Sequence, residues 1–294
     1  MRSSTDSISR LALVGITRTP LIRTLWLRRK FAVELALLRG ESPSASTHPS
    51  IAHFSLNKAA TQFVKSILTR AGAEAGLVPV ALHSLAFASS LPYFDDLSAE
   101  EMEPYGVALR PRGYVYSPFG GPIEGVSFDD FRVVLMVRDP RDLLVSEYFS
   151  VAFSHMLPPD RAKRRTFAAQ RRFAIENGVD AYALRYCERM RLTFERYARQ
   201  LLGRPNVHFT KYETMIADFE PWLRDLLAFC ALEPSAELMR TFLDEGSAPA
   251  PSVADTRVHR RQVSSGEHLR KLKPEIVERL NESLAPVLAE FGYR

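Results

Sequence analysis

Two mainly apolar stretches of this chain each run straight into a helical pattern. Ile51-Ala52-His53-Phe54-Ser55-Leu56 is strand-like and breaks at Asn57-Lys58-Ala59-Ala60-Thr61-Gln62. Phe63, Val64, Ile67, Leu68 and Ala71 then recur at three- and four-residue spacing and predict a helix, with Gly72 placed for a left-handed C-terminal cap. Val133-Val134-Leu135-Met136-Val137 is near-continuously apolar and mostly β-branched, the signature of a buried parallel strand. It ends in Arg138-Asp139-Pro140-Arg141-Asp142, where Asp139 suits the N-cap, Pro140 the first helical position, and Asp142 a place facing the first-turn amides. Leu143, Leu144, Ser146, Glu147 and Phe149 continue that second helix.

The alternation persists downstream. Ala183, Cys187, Met190, Phe194, Tyr197 and Leu201 share one face of a helix over 180–202, and a strand follows over 207–212. Further helices are predicted around Trp222, Leu223, Leu226, Leu227 and Cys230, and from Ile276 to Phe291. Strands alternating with helices predict a three-layer α/β/α fold with a central, mainly parallel sheet and ligands at the carboxyl ends of its strands. A chain of 294 residues buries one substantial core. The expected division is a basic N-terminal helical extension and linker, 1–49, before one domain, 50–294. Residues 8–39 mix apolar side chains with seven Arg or Lys, among them Arg10, Arg28, Arg29 and Lys30, and contain no uncharged run near the roughly 18 residues of a membrane span. This segment suits a helix folded back on the domain, an oligomer contact or a peripheral membrane contact. Ser42-Pro43-Ser44-Ala45-Ser46-Thr47-His48-Pro49-Ser50 reads as a linker.

Both strand-to-helix junctions have the chemistry of anion sites. The first amides of a helix lack intrahelical acceptors and lie at the positive end of its dipole. At the first junction Lys58 adds a full charge, Thr61 and Gln62 add donors, and small Ala59 and Ala60 allow close approach. The loop lacks the G-x-x-x-x-G-K-[ST] pattern of nucleotide P-loops, and an ordinary turn with a solvated lysine is the other reading. At the second junction Arg138 and Ser146 can converge on another anion, or Arg138 can pair with a local aspartate. The net charge of +5 favours anionic ligands, but no zinc-finger or aromatic-basic motif points to nucleic acid. Cys187 and Cys230 have neither metal-ligand spacing nor a disulfide framework and read as buried thiols.

In combination and order these segments resemble sulfotransferases that use 3′-phosphoadenosine 5′-phosphosulfate (PAPS). The resemblance covers roughly residues 50–294 and implies a P-loop-like fold, PAPS as cosubstrate and no metal requirement. By that resemblance Asn57, Lys58, Ala59, Ala60, Thr61 and Gln62 hold the 5′-phosphosulfate, and Arg138 and Ser146 the 3′-phosphate. Tyr212, in Lys211-Tyr212-Glu213, lies near the adenine, while Arg261 and Gly266, in Arg260-Arg261-Gln262-Val263-Ser264-Ser265-Gly266, belong to a loop closing over the 3′-phosphate. Lys58 would stabilise the oxygen that leaves sulfur during in-line displacement. The chain departs from the family's pattern at Ala59-Ala60, in place of a Ser-Gly pair, and at Val263, in place of a glycine. Tyr114-Val115-Tyr116-Ser117-Pro118-Phe119 contains no histidine where animal cytosolic members carry their base, and residues 62–72 contain no acid.

The base must therefore come from elsewhere. His83 is the leading candidate, with Asp95, Asp96, His53 and Glu124 behind it. The acceptor would be a hydroxyl- or amine-bearing molecule. Arg161, Lys163, Arg164, Arg165, Arg171 and Arg172 could recruit an acidic glycan or form a solvated helical face. Tyr93, Phe94, Tyr105, Tyr114, Tyr116 and Phe119 could stack on a sugar or lipid, or pack a core. The rival readings are a P-loop kinase with a metal-binding Asp139 and a non-catalytic relative that keeps the nucleotide pocket. A cytoplasmic location is expected, with homo-oligomerisation open.

Overall fold

The computed structural model describes residues 20–247 and 265–294. Five strands, β1 (Ile51–Ser55), β2 (Val78–Val80), β3 (Tyr114–Phe119), β4 (Arg132–Val137) and β5 (Val207–Lys211), pair in parallel in the order β2-β3-β1-β4-β5. The helices are α1 (Pro20–Lys30), α2 (Ala32–Leu38), α3 (Thr61–Glu74), α4 (Leu82–Ala88), α5 (Ala99–Met102), α6 (Pro140–Phe149), α7 (Arg161–Gln200), α8 (Tyr212–Ala217), α9 (Phe219–Phe229), α10 (Ala236–Ser247), α11 (Glu267–Lys271) and α12 (Pro274–Glu290).

Strand side chains alternate between two cores. Ala52, Phe54, Val133, Leu135 and Val137 join α2, α7 and α12, while Ile51, Val134 and Met136 join α3, α9 and α10. This period of two, with both faces covered, explains why the strands read as apolar runs and makes the fold a three-layer α/β/α sandwich. The chain passes from β1 to β2 on one side and later returns to β4 on the other. The carboxyl ends of adjacent β1 and β4, with Ser55 opposite Met136, therefore flank the crevice where such sheets bind ligands.

Helix α3 is longer than the sequence pattern implied, and Gly72 is not its cap. Gly72 lies buried inside α3, where a Cβ would meet Val115 Cγ2 at 2.7 Å, so this glycine permits close helix–sheet packing. The cap is Gly76, at φ +74°, with Leu77 N–H donating to Gly72 O at 2.8 Å and Gly76 N–H to Ala73 O at 3.1 Å, a Schellman arrangement. Helix α7 likewise begins well before residue 180. Asp160 caps it by accepting from the amides of Ala162 and Lys163, and Gly178, at φ +77°, kinks it.

Helices α1 and α2 fold back on the domain. Phe31 and Leu37 are buried, Arg23 Nη2 donates to Ala88 O at 3.0 Å, and buried Glu34 accepts the Ala81 amide at 2.7 Å. Among the described residues no helix is long and apolar enough to cross a membrane. Cys187 and Cys230 are buried free thiols.

Candidate active site

The loop between β1 and α3 has two non-glycine residues in left-handed conformation, Lys58 (φ 81°) and Ala60 (φ 55°). Such conformations cost on the order of 1 kcal/mol or more each and concentrate at ligand clamps. The loop is braced from within. Thr61 Oγ1 donates to Leu56 O at 2.8 Å and lies 3.0 Å from Ser55 Oγ, so the Thr61 hydroxyl holds the turn. Among the described residues no acceptor takes the amides of Ala60, Thr61 or Gln62. Buried Ala59 lets the backbone turn tightly, and Asn57, Lys58 and Gln62 face a cavity.

The second junction shows how its charges are shared. In Arg138-Asp139-Pro140-Arg141-Asp142 both arginines and both aspartates are buried, and they pair crosswise. Asp139 caps α6, accepting the Arg141 amide at 2.9 Å and the Arg141 guanidinium at 3.0 and 2.7 Å. Arg141 also reaches Asn281 Oδ1 and Arg294 O, both at 2.6 Å, which makes it the structural arginine of the two. Asp142 does not face the first-turn amides, because Asp139 already serves that end. It turns instead to the segment entering α11, accepting from Gly266 N at 2.8 Å, His268 N at 2.9 Å and His268 Nδ1 at 2.7 Å. Burial raises the Asp142 pKa, but the His268 bonds and the Arg138 charge outweigh it and bring the carboxyl down to about 2.

Arg138 sits between the junctions. Its Nη1 donates to Lys58 O at 3.2 Å, its Nη2 lies 3.4 Å from Asp142 Oδ2, and its guanidinium stacks over the Tyr212 ring at 4.6 Å. Tyr212 thus supports Arg138 from below. Glu213 anchors the same segment, accepting the Asp139 amide at 3.0 Å and the Tyr293 hydroxyl at 3.1 Å. Half-buried Ser146 lies two turns along from Arg138, and its hydroxyl makes no hydrogen bond among the described residues. Gly266 donates its amide to Asp142, and Arg261 lies outside the described residues.

The cavity beside Lys58 has a volume of about 1590 Å³. Trp26, Phe31, Phe87, Val151, Met156 and Phe167 give it apolar walls, and Arg23, Trp26 and Lys30 place one face of α1 along its rim. His83, Asp95 and Asp96 line it too. His83 Nδ1 is 4.0 Å from Asp95 Oδ1, and its ring lies against Tyr93 at 4.6 Å. Burial, then the charges of Lys163 and Lys65, take the His83 pKa down to about 4, while burial and Asp96 push Asp95 up to about 6. Gly120 lets the loop after β3 press on this pair, since a Cβ there would stand 2.8 Å from Asp95 Oδ2 and 3.3 Å from His83 Cε1.

Two other candidate bases are not brought to the cavity. His53 is sealed in the sheet against Ser117 Oγ at 2.8 Å, and burial takes its pKa to about 3. Glu124 faces away from the cavity and accepts from Arg196 and Gln200. Of the aromatic series only Tyr93 lines the cavity, while Phe94, Tyr114, Tyr116 and Phe119 are core. The basic block divides: Lys163 caps the end of α4 through Ala86, Ser89 and Leu91 carbonyls, and Arg164 and Arg171 bond Pro158 O and Val151 O. Arg161, Arg165 and Arg172 are solvated. Sequence reading missed the tie from Asp142 to His268 and the role of Arg196, which bonds Asp95 O at 3.2 Å and Pro122 O at 2.7 Å beneath the cavity. Helical periodicity marks neither.

The arrangement is that of an α/β protein with two neighbouring strand-to-helix junctions, each carrying a basic side chain, beside an apolar cleft. The chain matches the sulfotransferase domain over residues 119–291, more than half its length, and belongs to that family as a sulfotransferase enzyme. The match begins beyond the Lys58 loop, whose assignment rests on its own geometry. Retinol dehydratase, solved with retinol and adenosine 3′,5′-bisphosphate (PAP), has a similar fold at 14% identity and a TM-score of 0.51, over 91% of this chain and 88% of that one. Mouse sulfotransferase SULT7A1 with PAP aligns at 15% identity and a TM-score of 0.49, over 87% and 88%. A sulfotransferase from Alicyclobacillus acidocaldarius aligns at 17% and 0.37, over 82% and 94%. No curated protein matches the chain.

Proposed function

We propose that this enzyme transfers the sulfuryl group of PAPS to a hydroxyl or amine of a small acceptor with an apolar body. The observation that carries this reading is the bond from Arg138 to Lys58 O, 3.2 Å, which sets the two anion junctions side by side at the edge of the apolar cleft. The residues present fit PAPS, a molecule with separated 5′ and 3′ anionic groups. The amides of Ala60, Thr61 and Gln62, with Lys58, suit the 5′ end, and Arg138 with Ser146 suits the 3′-phosphate. PAPS, when bound, supplies the sulfuryl group. Lys58 then neutralises charge growing on the leaving oxygen, by electrostatic positioning of the kind used in phosphoryl transfer. The apolar walls orient the acceptor and exclude water. Buried free thiols agree with a cytoplasmic setting.

A kinase is disfavoured because Asp139, the residue that would hold its metal, spends both carboxylate oxygens on Arg141. Calorimetric titration with PAP, 5′-AMP and ATP, each with and without magnesium, tests the choice. PAP should bind far more tightly than 5′-AMP. Binding of ATP alone, and only with magnesium, would sink the sulfotransfer reading, and PAP binding without turnover would indicate a non-catalytic relative.

For the acceptor proton we favour Asp95, held beside His83. A carboxylate with a pKa about 6 is a stronger base than an imidazole at about 4. The base works deprotonated, so kcat/KM is expected to fall as pH drops through about 6, and Asp95→Asn to lose about a hundredfold or more in rate. An acid limb near pH 4 would move the role to His83.

A further inference from the structure

Asp142 is fully buried, yet its closest partners are not the arginine four residues before it. The three bonds from Gly266 N, His268 N and His268 Nδ1 span 2.7 to 2.9 Å, whereas Arg138 Nη2 stands off at 3.4 Å. Charge-assisted N–H···O bonds normally close to about 2.7–2.9 Å. The carboxylate is therefore satisfied mainly by the turn at 266–268, and it orients Arg138 without drawing it into a tight pair. Gly266 makes this possible, since its φ of +74° lets the amides of 266 and 268 reach one carboxylate. The His268 ring is buried, and Nδ1 carries the proton, because an ionised carboxylate only accepts.

We propose that His268 is a positioning residue for the cofactor site, acting through Asp142 to hold Arg138 where its guanidinium serves both the 3′-phosphate and the Lys58 carbonyl. This rests on the PAPS reading above. His268 touches no reacting atom. Without its ring donor, Asp142 Oδ1 keeps only the His268 amide, and the carboxylate turns toward Arg138, its nearest cation among the described residues. Arg138 then closes onto Asp142, and its charge is spent before a phosphate arrives. The line His268, Asp142, Arg138, Lys58 O ends at the first loop, but that loop is braced on its own by Thr61 and Ser55, so the effect is expected at the 3′-phosphate alone.

The test compares PAP with 5′-AMP by calorimetry on the full chain, because their affinity ratio isolates the 3′-phosphate. His268→Phe, which fills the space without a donor at Nδ1, should lower that ratio about tenfold, as expected for one lost charge-assisted bond, with 5′-AMP binding unchanged. His268→Asn, whose side-chain amide can donate to Asp142, should recover most of it. The proposal is overturned if the ratio stays at the wild-type value in His268→Phe, if PAP and 5′-AMP weaken together, or if His268→Asn behaves like His268→Phe. If His268→Phe melts below assay temperature, His268→Ala, which likewise lacks the ring donor, is titrated in its place and judged by the same criteria. A wild-type protein that does not prefer PAP over 5′-AMP would instead remove the PAPS reading itself.

Discussion

Lys58→Ala is expected to lower kcat a hundredfold to a thousandfold while PAP affinity falls only a few-fold. The loss corresponds to about 2.7–4 kcal/mol of barrier, the usual effect of removing one positioned donor from a site of developing charge. The two quantities separate because different parts of the loop carry them. On the proposed reading, ground-state binding at the 5′ end would rest chiefly on the amides of Ala60, Thr61 and Gln62, which the substitution leaves in place. The fold should also be unaffected. Lysine and alanine pay a similar penalty at φ 81°, and the turn is braced by Thr61 and Ser55 through Leu56 O and each other. Steady-state rates beside a PAP titration check the split. Activity within tenfold of wild type would remove Lys58 from the chemistry, and parallel losses in kcat and PAP affinity would make it a binding group only.

How much of this was legible before the structure depends on the range of the interactions involved. The strands β1, β4 and β5 and the two junctions were, because burial on both faces of a parallel sheet imposes an apolar run, and capping chemistry is local: Asp139 and Pro140 stand where their pattern placed them. Gly72 misled because a glycine near a helix end serves equally as cap or as contact. Only the position of Val115, on another strand, decides between them. The pentapeptide after β4 is harder still. It holds two arginines and two aspartates, and sequence cannot say which arginine is structural, since the answer lies in Asn281 and Arg294 on one side and in Lys58 O and Tyr212 on the other. Likewise His83 attracted notice as a histidine in an apolar stretch, while the Asp95 pKa is raised first by burial, which leaves no local trace, and then by the charge of the adjacent Asp96. Helix α1 at the cavity rim was foreseen only as one of three options for a basic amphipathic segment.

The larger effect on binding should come from Arg138→Ala, which is expected to weaken PAP about a hundredfold and bring its affinity down to that of 5′-AMP. Hydrogen bonds from a charged donor are worth about 1.5–3 kcal/mol each, and a guanidinium can make two to one phosphate. Removing one partner of a buried ion pair commonly costs about 3–5 kcal/mol of stability, through the charge left behind. Here the cost should fall well below that, because Asp142 keeps its three donors from Gly266 and His268. Binding and folding therefore come apart, and a thermal melt beside the titration separates them. Arg138→Lys is not expected to rescue. A single ammonium cannot span Lys58 O and Asp142 Oδ2 as the planar fork does, nor stack flat on Tyr212. If Arg138→Ala binds PAP and 5′-AMP with the wild-type ratio, the 3′-phosphate is held elsewhere, and the junction after β4 serves the fold alone. If the lysine variant binds normally, a point charge suffices, and the geometry that links the two junctions through one guanidinium has no part in recognition.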